Sequence, residues 1–185
     1  RLWAGTSRQL AAATGRIYYF RPGVDTSWTL DYTTSAGVGD VQDLCDYRGE
    51  LYASLRATTP VNALVIKRST AGAWTTSDTG AATSVYNAYL GLGTFNDVLY
   101  AAYKGDSTNF GIRKYDGTSW SDAKALGAEF IPIHTFLNYN GTIYGISSGM
   151  FGGSSISGGF KSTDGTTWST LSLAATSPVI SVIET

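Results

Sequence analysis

Lys161-Ser162-Thr163-Asp164-Gly165-Thr166-Thr167-Trp168 decides how this chain reads. Asp-Gly is a tight-turn pair, because glycine accepts a left-handed backbone and Asp bonds its own turn; the β-branched and aromatic residues around it suit strands. One such hairpin would be ordinary. This chain carries four. Lys114-Tyr115-Asp116-Gly117-Thr118-Ser119-Trp120 is the same element, and Arg68-Ser69-Thr70-Ala71-Gly72-Ala73-Trp74 is a weaker copy. Arg21-Pro22-Gly23-Val24-Asp25-Thr26-Ser27-Trp28 is weaker still. The four tryptophans are spaced by 46, 46 and 48 residues.

A second column repeats independently of the tryptophans. Glu50-Leu51-Tyr52-Ala53, Val98-Leu99-Tyr100-Ala101 and Thr142-Ile143-Tyr144-Gly145 each follow a turn-like pair: Arg48-Gly49, Asn96-Asp97 and Asn140-Gly141. Arg1-Leu2-Trp3-Ala4 fills the same slot, with Trp3 in place of tyrosine. An apolar run precedes each turn, and a variable loop follows each tyrosine. A third strand and then the Trp strand complete the unit. Each unit of about 46 residues thus predicts four short antiparallel strands. Four-stranded units at that period are the pattern of β-propeller blades.

The expected fold is therefore all-β, a propeller of four blades with four antiparallel strands each. The units are 1–38 plus 178–185, 39–84, 85–128 and 129–177 of a single domain. The chain opens on the second strand of a unit and ends on Val179-Ile180-Ser181-Val182-Ile183-Glu184-Thr185, which reads as a first strand. Residues 181–185 match residues 135–139 in pattern, and the count from Trp168 through the end to Trp28 is 45. The C-terminal strand is thus expected to pair with the N-terminal blade and close the ring, leaving no open blade. A larger propeller from which this is a piece, and two chains sharing an eight-bladed ring, are the competing closures.

Composition narrows the class. Only 15% of the 185 residues are charged, 13% are aromatic, 22 are Gly, and the net charge is −1. That mixture fits many short strands and turns, and without a basic run it gives no electrostatic grip on nucleic acid. No apolar stretch approaches the roughly 20 residues that span a bilayer as a helix. Cys45 stands alone, so no internal disulfide forms, and a small buried apolar role is expected for it. The chain begins at Arg1, so the absence of a signal sequence carries no information.

The stretch from Ser162 to Trp168 resembles the Asp-box, the Ser-x-Asp-x-Gly-x-Thr-Trp hairpin of sialidases and many other propellers. Here the turn is one residue shorter, and the copies at Ala71-Gly72 and Pro22-Gly23 lack the Asp-Gly pair. The resemblance covers about eight residues per unit and implies a propeller hairpin without implying an activity. It implies that Ser162 and Asp164 tie off the turn and that Trp168 packs between blades, with Asp116 and Trp120 in the same roles. Short Asp-Gly-x-x-Trp variants also look like repeats of bacterial surface proteins and of bacteriophage tail and adhesion proteins.

That scaffold accounts for most of the conspicuous side chains. Trp28, Trp74, Trp120 and Trp168 share one column and Trp3 joins the Tyr column, so packing explains all five better than sugar stacking does. Tyr52, Tyr100 and Tyr144 are structural for the same reason. The three glutamates, Glu50, Glu129 and Glu184, fall at unlike positions, and so do the arginines. No glycosidase carboxylate pair or sialidase-type triad can be assembled from them. A single histidine, His134, excludes a multi-His metal site, and no metal and no cofactor is expected. Asp106, beside Ser107 and Thr108, reads as a turn cap before a calcium ligand.

Recognition is expected where the repeat breaks down. The loops between second and third strands, 6–16, 58–62, 104–109 and 147–157, differ most from unit to unit. They carry Arg8, Asp106, Met150 and Phe151, and with His134 these are the candidate binding residues. The expected function is a non-enzymatic binding or adhesion module, extracellular or on a virion. A glycan or a surface protein is the expected partner, within a larger chain or homo-oligomeric assembly. Neither nucleic acid nor membrane insertion is expected. A structural propeller inside an assembly and a degenerate sialidase-like hydrolase are the alternatives.

Overall fold

The computed structural model describes residues 1–6, 14–57, 62–80, 88–105, 110–126, 133–147, 150–151, 154–155 and 158–172. The regular structure of these residues is entirely β. The chain divides into two compact units, Arg1–Tyr89 and Leu90–Thr185.

In the first unit, β1 (Leu2–Gly5), β2 (Arg16–Phe20) and β3 (Thr29–Thr33) form a three-stranded antiparallel sheet in chain order. This is the first repeat. The second repeat is β4 (Val38–Tyr47), β5 (Glu50–Ala57), β6 (Leu64–Arg68) and β7 (Trp74–Thr79), four antiparallel strands side by side. β8 (Ala88–Phe95) starts in the first unit, where Ala88 pairs with Arg56 of β5.

In the second unit, β8 is followed by β9 (Val98–Lys104), β10 (Phe110–Tyr115) and β11 (Trp120–Leu126), adjacent in that order, as the third repeat. The fourth repeat has β12 (Ile133–Tyr139) and β13 (Thr142–Ser147), then a short hairpin of β14 (Met150–Phe151) and β15 (Ser154–Ser155). β16 (Gly158–Ser162) and β17 (Ser169–Ser172) complete its antiparallel sheet, in the order β12-β13-β16-β17.

Two turn columns hold the repeats in register. The pairs Arg48-Gly49 (φ 52° and 77°), Asn96-Asp97 (49° and 59°) and Asn140-Gly141 (46° and 69°) are left-handed at both positions. That is the requirement of a two-residue hairpin whose twist matches its strands. In the second column Gly23, Gly72, Gly117 and Gly165 all have positive φ, between 73° and 99°. The weaker copies of the opening motif have therefore lost the aspartate but kept the glycine, the one residue whose backbone role no neighbour can supply.

A third column is a bulge. Asp31, Ser77 and Ala123 are each skipped in the pairing of the third and fourth strands of their repeats. They lie 46 residues apart. A bulge at one repeat position bends each outer strand alike and increases its twist.

The core of the first unit joins its two repeats. Ile17 of β2 packs with Val38, Ala53, Leu55 and Ile66, and Trp3, Tyr32 and Trp74 lie against them. In the second unit Tyr100, Phe110 and Ile112 pack with Phe136, Ile143, Phe160 and Trp168 of the next repeat. Trp168 is 8% exposed. Trp28 departs from the packing role expected of its column, being 47% exposed. It rests on Phe20 of its own sheet at a centroid distance of 5.6 Å. Trp74 and Trp168 each have a preceding repeat to pack on; among the described residues of the first unit, Trp28 has none.

Cys45 is also less covered than expected, half-buried on β4. Desolvation, then the charges of Asp43 and Asp46, push its thiol up to about 12, which favours the protonated form near neutral pH.

Candidate functional site

The repeat hairpin is the place where charged and hydroxyl groups concentrate, so its chemistry comes first. Asp164 Oδ1 accepts hydrogen bonds from the backbone N–H groups of Thr166 and Thr167, each at 2.7 Å, and from Ser162 Oγ at 2.9 Å. Ser162 Oγ in turn accepts from Gly165 N at 2.8 Å. The N–H groups of Thr167 and Thr166, followed by the hydroxyls, hold the Asp164 carboxyl far below the usual carboxylate range. A carboxylate so committed is a turn anchor, and a poor general acid or base near neutral pH. Asp116 Oδ1 repeats the arrangement, accepting from Thr118 N at 2.8 Å and Ser119 N at 2.9 Å.

The early copies solve the same turn differently. Asp25 Oδ2 accepts from Arg21 N at 2.8 Å, and its carboxylate pairs with the Arg21 guanidinium at 2.6 Å. In the second repeat Ser69 Oγ accepts from Ala73 N at 3.2 Å. Every copy thus ties its backbone with at least one short polar side chain.

Asp31, the bulged residue of the first repeat, reaches the second. Its carboxylate accepts from Arg68 Nε at 2.7 Å and Nη2 at 3.1 Å, and from Trp74 Nε1 at 2.6 Å. The guanidinium also lies 5.1 Å from the centroid of the Trp3 ring. Burial alone would raise the Asp31 pKa; the hydrogen bonds from Arg68 and Trp74 outweigh it and lower the pKa. Ala123 holds the bulge position in the third repeat and offers no acceptor. Accordingly Trp168 Nε1 is buried without a hydrogen-bond partner among the described residues.

A cross-strand row also recurs: Tyr52-Lys67-Thr75, Tyr100-Lys114-Ser121 and Tyr144-Lys161-Ser169. Its lysines are spaced by 47 residues, a signal present in the sequence but hidden beside the aromatic columns. On the fourth repeat the row lines a cleft of about 350 Å³ together with Thr142, Thr163, Asp164 and Thr167. The cleft offers an ammonium, a phenol, hydroxyls and the Asp164 carboxylate, the last committed to its own turn. In the third repeat the same row is packing: Tyr100 is 2% exposed and its hydroxyl donates to Gly165 O at 3.2 Å.

The candidate binding residues are not brought together. Arg8 and Asp106 lie outside the described residues. His134 is the second residue of β12, exposed at the strand start, its pKa lowered by desolvation and then by the Lys104 charge. Met150 and Phe151 form β14, paired with Ser155 and Ser154; their side chains lie outside the description. No cluster of three or more His, Cys, Asp or Glu able to hold a metal occurs among the described residues. No helix of the described residues is long and apolar enough to cross a membrane.

No protein-family model matches the chain, and no curated protein does. Among solved structures the chain is similar to the Trypanosoma rangeli sialidase, with 12% identity and a TM-score of 0.49. The likeness covers 85% of this chain and 26% of that one, so the chain spans about a quarter of the sialidase's length. Similarity at this level leaves activity undecided, and the chain stands as an all-β protein of four related repeats.

Proposed function

We propose that the chain is a β-propeller of four blades, its ring closed by the C-terminal strand, acting as a non-enzymatic binding or adhesion module. It recognises a glycan or a surface protein outside a cell or on a virion, through the loops between second and third strands. The observation that carries this reading is the β14–β15 hairpin, an addition to the four-stranded pattern that places the apolar pair Met150-Phe151 between β13 and β16. Additions to a repeated scaffold, on connections that bear little of the fold, are where recognition is built. The commitment of Asp25, Asp31, Asp116 and Asp164 to turns and to the Arg68 clasp supports a scaffold role for the hairpins.

A glycan array and host-surface binding with the chain and its Phe151→Ala variant test the reading. The expected result is binding that falls at least tenfold in the variant while the denaturation midpoint is unchanged. A variant that alters only assembly state, with no binding by the parent chain, would leave a structural propeller instead. Turnover of chromogenic glycosides, lost on changing a single carboxylate, would make the chain a hydrolase.

A further inference from the structure

The cross-strand row of tyrosine, lysine and hydroxyl residue is completed differently in each repeat. In the second, Glu50 completes it: Glu50 Oε2 accepts from Lys67 Nζ at 3.1 Å and from the Tyr52 hydroxyl at 3.4 Å. One carboxylate oxygen thus serves both the ammonium and the phenol. In the third, the Gly165 carbonyl takes the Tyr100 phenol. The fourth repeat keeps the donors, with Tyr144 directly opposite Lys161 as Tyr52 is opposite Lys67. Its first residue after the turn is Thr142, opposite Tyr139, where the second repeat has Glu50 opposite Tyr47. The donors remain and their carboxylate is gone.

That exchange leaves a cleft behind. Thr142, Tyr144, Lys161 and Ser169 line its volume of about 350 Å³, at the lower end of small-molecule sites. Among the described residues no hydrogen bond or ion pair engages the Lys161 ammonium or the Tyr144 hydroxyl. Asp164 also lines the cleft, but three donors of its own turn already share its charge. An ammonium beside a phenol offers two donors to one anion, and hydrogen bonds to an ionised acceptor are the strong ones. The rest of the lining is rich in hydroxyls, Thr142, Thr163 and Ser169 among them, and Tyr144 is its one aromatic residue. A ligand matched to this lining carries one carboxylate and several hydroxyls.

We infer that the cleft of the fourth repeat binds a sugar acid, whose carboxylate accepts from Lys161 Nζ and the Tyr144 hydroxyl as Glu50 does in the second repeat. The sugar hydroxyls meet Thr142, Thr163 and Ser169. The site is separate from the connections between second and third strands, and it does not depend on a closed ring. A glutamate at position 142 would fill it from within, which gives the assignment its sharpest variant.

The test is a titration of the 185-residue chain with D-glucuronate, followed by backbone amide signals in NMR. Saturable shifts are expected at Tyr144, Lys161 and Ser169. Glucuronamide, the same ring without the charge, should bind at least tenfold more weakly, and so should acetate, which lacks the hydroxyls. Lys161→Met and Thr142→Glu should each weaken glucuronate at least tenfold with an unchanged denaturation midpoint, and Lys161→Arg should retain it. Equal affinity for glucuronate and glucuronamide, or for glucuronate and acetate, would overturn the assignment. So would undiminished binding by Thr142→Glu, shifts confined to other residues, or no saturable shift in the parent chain. The comparisons among the three compounds need no variant, so they decide the matter even where a substitution disturbs folding.

Discussion

Gly165 shows most plainly how a single residue is held to its identity here. Its φ is 73°, and a Cβ built there would clash with the Tyr100 hydroxyl. Gly49 has φ 77° but nothing within 4 Å of such a Cβ. Gly49→Ala therefore costs only the left-handed backbone penalty, about 1 kcal/mol. Gly165→Ala adds the clash to that and is expected to cost about 3 kcal/mol, measured as the shift of the urea midpoint. Tyr100→Phe, which removes the clashing oxygen, should recover part of the loss in the double variant. Equal costs at the two glycines would show that the Tyr100 contact is not tight. Asp31 makes the complementary case, because its worth depends on charge. Asp31 and Arg68 side chains are 10% and 15% exposed. Asp31→Asn leaves a mostly buried guanidinium without its anion, and is expected to cost about 2 kcal/mol at pH 7. The Asp31 pKa is lowered in the folded chain. Its contribution is thus fully present above the unfolded carboxylate value of about 3.9 and is lost as pH falls through the lower folded value. The difference in stability between parent and Asp31→Asn should be constant from neutral pH to about 4 and shrink below it. A difference that persists undiminished into strong acid would remove the ion pair from the explanation.

At the scale of strands and turns, much is legible in the sequence. The pairs Arg48-Gly49, Asn96-Asp97 and Asn140-Gly141 announce hairpins because few residues other than Gly, Asn and Asp take left-handed backbone cheaply. β5, β9 and β13 begin immediately after them. The Trp column located β7 and β11 to the residue. What sequence could not display was position in space. The bulge column was invisible because Asp31, Ser77 and Ala123 share neither size nor polarity, only a place in the strand pairing. The Asp31–Arg68–Trp74 clasp joins residues 37 and 43 positions apart, and no local pattern links them. Exposure was the other failure. Trp28 carries the same letter as Trp168, yet burial is decided by whether a neighbouring repeat lies over the ring. The stretch 147–157 reads as a loop because Gly and Ser dominate it; β14 and β15 are only two residues long, too short to show a period.

For the whole molecule, the columns of turns, bulges and rows amount to one supersecondary unit used four times. Such a unit cannot bury its sheet alone, so neighbouring repeats must stack face to face, as they do within each compact unit. The polar groups of the repeated hairpins tie their own turns, and the recognition proposed above falls to the connections that differ. The proposed function requires a closed ring. Small-angle scattering of the 185-residue chain measures it directly. A closed four-blade monomer predicts monomeric mass and a radius of gyration of about 16 Å, the value of a compact chain of this length. A monomer with a radius well above 20 Å, or a stable dimer whose envelope encloses a single larger ring, would contradict it.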